Sequence, residues 1–305
     1  MAIDAARDSS KTGLVIAAHG RRGMLETTEG SALPYIVRGR HLQVCCGDHV
    51  HWQAFADGDP VVVSGTAPRM NQLNRQPPRG SKPETIAANI SHLIVVMAAL
   101  PLPDLFITDR YLCAAHLMGV QAAIVWNKAD LAALPETELA VYSRLGYRLF
   151  PVSAVTGTGL DALLGWAGQC VGLLVGQSGV GKSSLLNRLV PGSDTATGQL
   201  SAASDEGRHT TTASIMYRLE NGGRLIDTPG VRDFVPAIPD PRDIAHGFIE
   251  IGTTGRDCRF ADCSHLREPD CAVSAAVLKG TIDNRRYESY RRLMNLANQA
   301  TGQAY

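Results

Sequence analysis

Residues 176–183 read Gly-Gln-Ser-Gly-Val-Gly-Lys-Ser, the pattern G-x-x-x-x-G-K-S. This pattern needs a buried strand that runs into a tight turn and opens at once into a helix. Both flanks comply. Residues 170–175 form a short apolar run, and Ser184-Leu185-Leu186-Asn187-Arg188-Leu189 has helical spacing. The glycines let successive N–H groups turn inward toward phosphate oxygens, and the helix N-terminus adds its positive dipole end. Lys182 supplies a charge for the terminal phosphates and Ser183 a hydroxyl for Mg²⁺. The expected triphosphate-binding residues are therefore Gly176, Gln177, Ser178, Gly179, Val180, Gly181, Lys182, Ser183 and Ser184. A plain Gly/Ser turn before a buried helix is the bland alternative. It does not require all four fixed positions to be filled in this context.

Three further motifs concern the base and the reaction. An apolar run, residues 120–126, ends in Asn127-Lys128-Ala129-Asp130. The Asp130 carboxylate can accept from guanine N1–H and the exocyclic amine together, and adenine offers neither donor. Asn127 can bond the base and brace the phosphate loop, and the Lys128 stem can cover the ring. Ser153-Ala154 follows the next strand, where a backbone N–H can meet the guanine oxygen. Downstream, Asp227-Thr228-Pro229-Gly230 reads D-x-x-G, with Asp227 near Mg²⁺ and the Gly230 N–H at the γ-phosphate. Within residues 207–212, Thr211 or Thr212 can close over the metal. Together these motifs point to a GTPase. Their order is unusual, because N-K-x-D and Ser153-Ala154 precede the phosphate loop. The domain therefore reads as circularly permuted, with the D-x-x-G switch leading straight into the C-terminal segment.

The flanking regions differ in texture. Candidate strands at residues 14–18, 24–28, 33–37, 49–55 and 61–66, with turn signals between them, predict a small closed barrel, an OB-fold, within residues 1–80. Arg21, Arg22, Arg38, Arg40, Arg69, Arg75 and Arg79 with Tyr35, Trp52 and Phe55 allow two readings: a basic, base-stacking surface, or a solvated barrel with core aromatics. The proline-rich stretch 77–83 reads as a linker. Alternating strands and helices over residues 81–236 predict a parallel α/β sheet. These include a strand near 93–98, a helix capped by Asp104 and running to Leu117, a helix near 136–145, a strand near 148–152 and a helix from Leu160. Residues 237–305 form the expected C-terminal segment. There Cys258-x4-Cys263-x-His265-x5-Cys271 offers three thiolates and one imidazole within fourteen residues, which suits closed tetrahedral Zn²⁺. The segment is polar and turn-rich, so metal would substitute for a core. Cys45, Cys46, Cys113 and Cys170 lie in apolar runs and read as packing. A helix near 283–299 carries Arg285, Arg286, Arg291 and Arg292 around Tyr287 and Tyr290, open to reading as an RNA-phosphate contact or as a solvated face.

Composition adds exclusions. Lys+Arg and Asp+Glu balance at 29 each in 305 residues, so global charge demands neither nucleic acid nor membrane. No apolar run has the length of a membrane span, and residues 1–11 lack a signal pattern. A cytoplasmic protein is expected. Seven cysteines are too scattered for a disulfide scaffold.

The chain resembles the ribosome small-subunit-dependent GTPases, the circularly permuted GTPases of small-subunit maturation, over nearly its whole length. The resemblance rests on Pro68-Arg69-Met70-Asn71-Gln72-Leu73, Pro103-Asp104-Leu105, Asp109-Arg110-Tyr111, Asn127 to Asp130 and Gly176 to Ser184. It continues through Gly207 to Thr212, Asp227 to Gly230, the Cys/His cluster with Glu268-Pro269, and Arg286-Tyr287 with Ser289-Tyr290. It implies a monomeric P-loop GTPase with an N-terminal OB-fold barrel and a C-terminal, mainly helical zinc segment, the barrel and zinc segment touching ribosomal RNA. It also implies GTP hydrolysis stimulated by the small ribosomal subunit, late in subunit assembly. Gly179 stands where some potassium-stimulated GTPases carry Asn, so potassium dependence is not implied. Two other readings remain: a nucleotide-gated RNA-binding module, or a GTPase acting on another RNA such as transfer RNA. The residue after Gly230 is Val231, which cannot orient water. The candidate substitute is His209, beside the switch threonines, so His209, Lys182, Thr211 and Thr212 are the expected catalytic residues.

Overall fold

The computed structural model describes residues 11–55, 58–75, 83–190, 192, 214–228, 237–238 and 240–301. Five strands form the barrel: β1 (Lys11–His19), β2 (Arg22–Thr27), β3 (Ala32–Val37), β4 (His49–Phe55) and β5 (Gly58–Thr66). They pair in the order β1-β2-β3-β5-β4, and β4 returns to β1 to close the ring. Alternation along β1 sends Val15 and Ala17 inward, as period-two patterning requires. The expected strands lie within or within one residue of these bounds. Tyr35 and Trp52 are 1% and 4% exposed and pack with Leu25, Val50 and Val63. They are core aromatics, and the stacking-surface reading does not hold for these two rings.

The second half of β1 leaves the barrel. Ala17 pairs with Ile215 and Ala18 with Ser214, after a bulge between Val15 and Ala17. Barrel and central sheet are thus one continuous hydrogen-bonded surface. The sheet adds β8 (His92–Met97), β9 (Gln121–Trp126), β10 (Arg148–Pro151), β11 (Val171–Val175), β12 (Ser214–Arg218) and β13 (Arg224–Asp227). Its order is β10-β9-β8-β11-β13-β12, parallel except for β12–β13. Helices cover both faces, so β8 is buried over five successive residues rather than alternating. On one face lie α1 (Leu105–Leu117) and α2 (Glu136–Arg144), contributing Tyr111, Leu112, Leu139 and Tyr142. On the other lie α3 (Leu160–Ala167) and α4 (Lys182–Leu189), contributing Leu163, Leu185 and Leu186. Strands β6 (Gln72–Arg75) and β7 (Glu84–Ala88) pair antiparallel. The proline-rich stretch read as a linker therefore joins two strands that pair with each other.

Glu26 on β2 clamps the two sheets together by bonding Arg218 of β12 and Arg224 of β13. The Arg224 hydrogen bond, more than any other contact, holds its carboxyl below the usual carboxylate range. A depressed folded-state pKa contributes stability that is present above about pH 4.3 and is lost as pH falls through the lowered value. Glu26→Gln should therefore flatten the acid limb of the unfolding profile between about pH 4.3 and the lowered pKa, and leave its shape at neutral pH unchanged. Urea midpoints across that range test it, and an unaltered acid limb would refute the clamp.

Four helices complete the chain: α5 (Asp243–Gly247), α6 (Ile249–Thr254), α7 (Ala272–Leu278) and α8 (Asn284–Thr301). Phe248, Ile251, Val273, Tyr290 and Leu293 form a core with Phe106 and Cys113 of α1. Arg286 lies on the inward stripe of α8 and is 1% exposed. It bonds Asp109 at 2.8 Å and Glu250 at 2.7 Å, and Asp109 also receives Arg285 and the Tyr142 hydroxyl. Burial opposes the Arg286 charge, but the two carboxylates outweigh it and raise its pKa. Neither reading of these arginines at the sequence level, RNA contact or solvated face, holds for Arg286. It is a buried ion-network residue. No helix among the described residues is long and apolar enough to cross a membrane.

Candidate functional site

The loop between β11 and α4 is shaped by close contacts. At Gly176 the φ is +134°, and a Cβ would lie 2.2 Å from the Val96 carbonyl oxygen of the neighbouring β8. At Gly181 the φ is +91°, and a Cβ would meet the Asn127 amide at 2.5 Å. Only glycine fits either place. Val180 is buried beneath the loop, whereas Ser183 and Ser184 are exposed on the first turn of α4. The Lys182 ammonium lies across the loop, donating to the carbonyls of Gly176 and Gln177 at 2.7 Å each.

Asn127 joins three loops. Its Nδ2 donates to the carbonyls of Val180 at 3.0 Å and Gly181 at 3.3 Å, and its Oδ1 accepts from the Ala154 N–H at 3.2 Å. The side chain is 1% exposed, so its donors and acceptor are spent on protein. Lys128, held at φ +60°, donates to the carbonyls of Leu100 and Gly179 at 2.8 Å. Ala129 donates its N–H to Val152, and Asp130 follows as an exposed carboxylate at the same strand ends. Ser153 is fully buried and its hydroxyl accepts from Thr156 N–H, fixing the turn that presents Ala154. Asp227 ends β13, opposite Ile215. The structure thus brings residues 127–130, 153–154, 176–184 and 227 to the C-terminal ends of the parallel strands, where open α/β sheets bind ligands. His209, Thr211, Thr212, Gly230 and Val231 lie outside the described residues.

Sequence reading missed one part of this site. The loop Leu100–Asp104 lies on the phosphate loop: Pro101 sits against Gly179, and the Asp104 N–H donates to Gln177 Oε1 at 3.3 Å. Asp104 also caps α1 by accepting from Phe106 N–H. The signal was present as the Pro-Leu-Pro-Asp run, in which two prolines stiffen a connection next to a helix cap.

The second candidate site is the Cys/His cluster. The thiols of Cys258, Cys263 and Cys271 and the His265 imidazole have ligand atoms all within 4.8 Å of one another. Cys258 Sγ lies 3.8 Å from Cys271 Sγ, and His265 Nδ1 lies 3.5 and 3.6 Å from those two sulfurs. A tetrahedron with Zn–S near 2.3 Å and Zn–N near 2.05 Å has S···S edges of about 3.8 Å and S···N edges of about 3.6 Å. The donor set fits that ion in chemistry, and the three edges among Cys258, Cys271 and His265 fit its spacing. Burial pushes the His265 imidazole toward its neutral, ligating form. Glu268 braces the loop by accepting from Ser264 N–H and Oγ–H, Leu266 N–H and Arg267 N–H. Burial opposes its charge, but these bonds prevail and hold its carboxyl down at about 2.

Comparison with known proteins agrees with this architecture. The RsgA GTPase family model matches residues 66–235. The small ribosomal subunit biogenesis GTPase RsgA of Azotobacter vinelandii is 41% identical over 295 residues, covering 93% of this chain and 85% of that one. That of Chromohalobacter salexigens is 44% identical over 256 residues, covering 82% and 74%. Among solved structures, YjeQ from Thermotoga maritima has a TM-score of 0.71 at 28% identity, covering 94% of this chain and 98% of that one. YloQ, described as a circularly permuted GTPase, has a TM-score of 0.68 at 23% identity, covers 98% of each chain and shares the fold. The phosphate loop set after the base-side loops, the barrel sewn to the sheet through β1, and these near full-length matches lead to one conclusion: the chain is a GTP-hydrolysing enzyme that belongs to the RsgA GTPase family.

Proposed function

We propose that this GTPase binds the small ribosomal subunit and its rRNA as a cytoplasmic, monomeric, late assembly factor, and that the subunit stimulates its hydrolysis of GTP to GDP and phosphate. The observation that carries the reading is the near full-length likeness to proteins named for small-subunit biogenesis. Residues 176–184 hold the phosphates, with Lys182 on the terminal pair. Ser183 and Asp227 would hold Mg²⁺, with Thr211 or Thr212 closing over the metal and the Gly230 N–H meeting the γ-phosphate. His209 orients the attacking water. Asp130 reads guanine, with Asn127, Lys128, Ala129, Ser153 and Ala154 forming the base pocket. One Zn²⁺ is held by Cys258, Cys263, His265 and Cys271 as a structural ion. The D-x-x-G segment leads directly toward that zinc segment, so loss of γ-phosphate can be felt there.

Co-sedimentation with small subunits tests the reading. Retention with a non-hydrolysable GTP analogue, release with GDP and subunit-stimulated turnover are expected. Nucleotide-gated binding without stimulated turnover would mean an RNA-binding module instead. Turnover stimulated by transfer RNA, without co-sedimentation, would mean another substrate. Base reading has its own test. Asp130→Asn should weaken GTP binding on the order of 100-fold, because two charge-assisted bonds are lost, and improve binding of xanthosine triphosphate, whose carbonyl needs a donor. Unchanged GTP affinity would remove Asp130 from that role.

A further inference from the structure

A cavity of about 590 Å³ lies between the barrel and the central sheet, and none of its described lining residues belongs to the phosphate loop. Volumes of roughly 300–1,000 Å³ take ligand-sized groups rather than single waters. Among its described lining residues are four arginines, Arg21, Arg40, Arg69 and Arg75, and one carboxylate, Glu84. Two of these charges are already answered. Arg75 pairs with Glu84, and Arg69 pairs with the fully buried Asp48. Arg21 donates only to a neutral acceptor, the Val37 carbonyl at 2.7 Å, and neither Arg21 nor Arg40 forms an ion pair among the described residues. The cavity therefore carries a local positive excess in a chain with no net charge.

The lining also carries hydroxyls. Thr228 lines the cavity, is 6% exposed, and its hydroxyl has no hydrogen-bond partner. Buried hydroxyls are rarely left unpaired, because desolvation is then uncompensated. Extending the register of Ile215 opposite Asp227 by one residue places Ser214, also in the lining, across from Thr228. Two hydroxyls thus share the cavity lining with two solvent-exposed guanidinium groups that form no ion pair among the described residues. Such a set suits a tetrahedral oxyanion, which accepts from both hydroxyls and from the planar forks of arginine. No aromatic residue stands among the described lining residues, so a base would find nothing to stack on.

We propose that this cavity is a second anion site, separate from the nucleotide site, which takes a backbone phosphodiester of RNA and presents it to Thr228, the residue directly after Asp227. The proposal rests on the small-subunit reading and names the point at which bound RNA touches the nucleotide switch. A phosphate seated there gives the Thr228 hydroxyl its missing acceptor and fixes the end of β13 from the barrel side.

The test uses the full-length chain, a short labelled single-stranded RNA, and inorganic phosphate or pyrophosphate as competitors. The Arg21→Ala/Arg40→Ala double variant should lower RNA affinity about tenfold or more and, with one phosphate contact of a single strand lost, reduce the slope of log K against log salt by about 0.7. Its GTP affinity should be unchanged. Thr228→Val, which keeps the volume and removes the hydroxyl, should still bind RNA within about threefold, yet lose the RNA's effect on GTP turnover. RNA affinity and salt slope unaltered in the double variant would overturn the proposal. If small subunits still co-sediment in that case, the wider function stands without this site; if wild-type chain fails to co-sediment, the wider function itself falls. Inorganic phosphate binding the site as tightly as RNA would also overturn it, by making a free phosphate compound the ligand.

Discussion

Asp109→Ala will cost the protein about 3–5 kcal/mol, as expected when one partner of a buried ion network is removed and the others stay behind. Asp109 is fully buried and receives Arg285, Arg286 and the Tyr142 hydroxyl, so its loss takes the closest carboxylate from Arg285 and one of two from Arg286. Glu250 still answers Arg286, but Arg285 keeps only its contact with Tyr142 and a 4.0 Å approach to Asp283. The same logic predicts a rescue. Asp109→Leu combined with Arg285→Met removes the cation left without a close carboxylate, while Arg286 keeps Glu250, and should recover part of the loss, since apolar replacements of buried ion pairs are often neutral. Urea unfolding of the single and double variants decides the matter. A single variant within about 1 kcal/mol of wild type would show that the network does not hold the helices.

Cys271→Ser, or exhaustive chelation, should unfold residues 258–271 and loosen α7 and α8. Structural zinc contributes on the order of 10–16 kcal/mol of apparent binding free energy in small domains, far more than a turn-rich loop can replace by packing. Cys271 is 5% exposed and is the N-cap of α7, where a serine hydroxyl can cap the helix but cannot replace the thiolate ligand. GTP affinity should stay largely intact, because the phosphate loop and Asn127 lie on the sheet. Metal analysis of purified protein should return one zinc per chain in the wild type and none in the variant. Full zinc retention in Cys271→Ser would dismiss the ligand set.

How much of this was legible beforehand follows a physical line. Short-range patterns read well: alternation placed the barrel strands, continuous apolar runs placed β8 and β9, and Asp104 was seen as the α1 cap. The cluster of Cys258, Cys263, His265 and Cys271 was legible because its ligands are close in sequence. What could not be read was pairing over distance. Arg286 meets Asp109 across 177 residues, and nothing local marks that contact. A partial signal existed, since Arg286, Tyr290, Leu293 and Met294 fall on one stripe of α8, which places the arginine on its apolar side. Tyr35 and Trp52 were ambiguous for another reason. Period two assigns them a side but does not say which side is inside until the barrel closes.

The strand shared by barrel and sheet also orders events in time. Part of the β1 edge waits for β12, and Glu26 finds Arg224 only 198 residues later in the chain. The barrel can close on itself early, through β4, but its seam with the sheet cannot form until β12 has been made. Such distant closure raises contact order and slows the final stage of folding. Until then the free half of β1 is an unpaired edge, open to strand addition by another chain. A chain released before residue 214 would keep that edge for good. Truncated products are therefore expected to associate through β1, whereas closing the seam removes that edge.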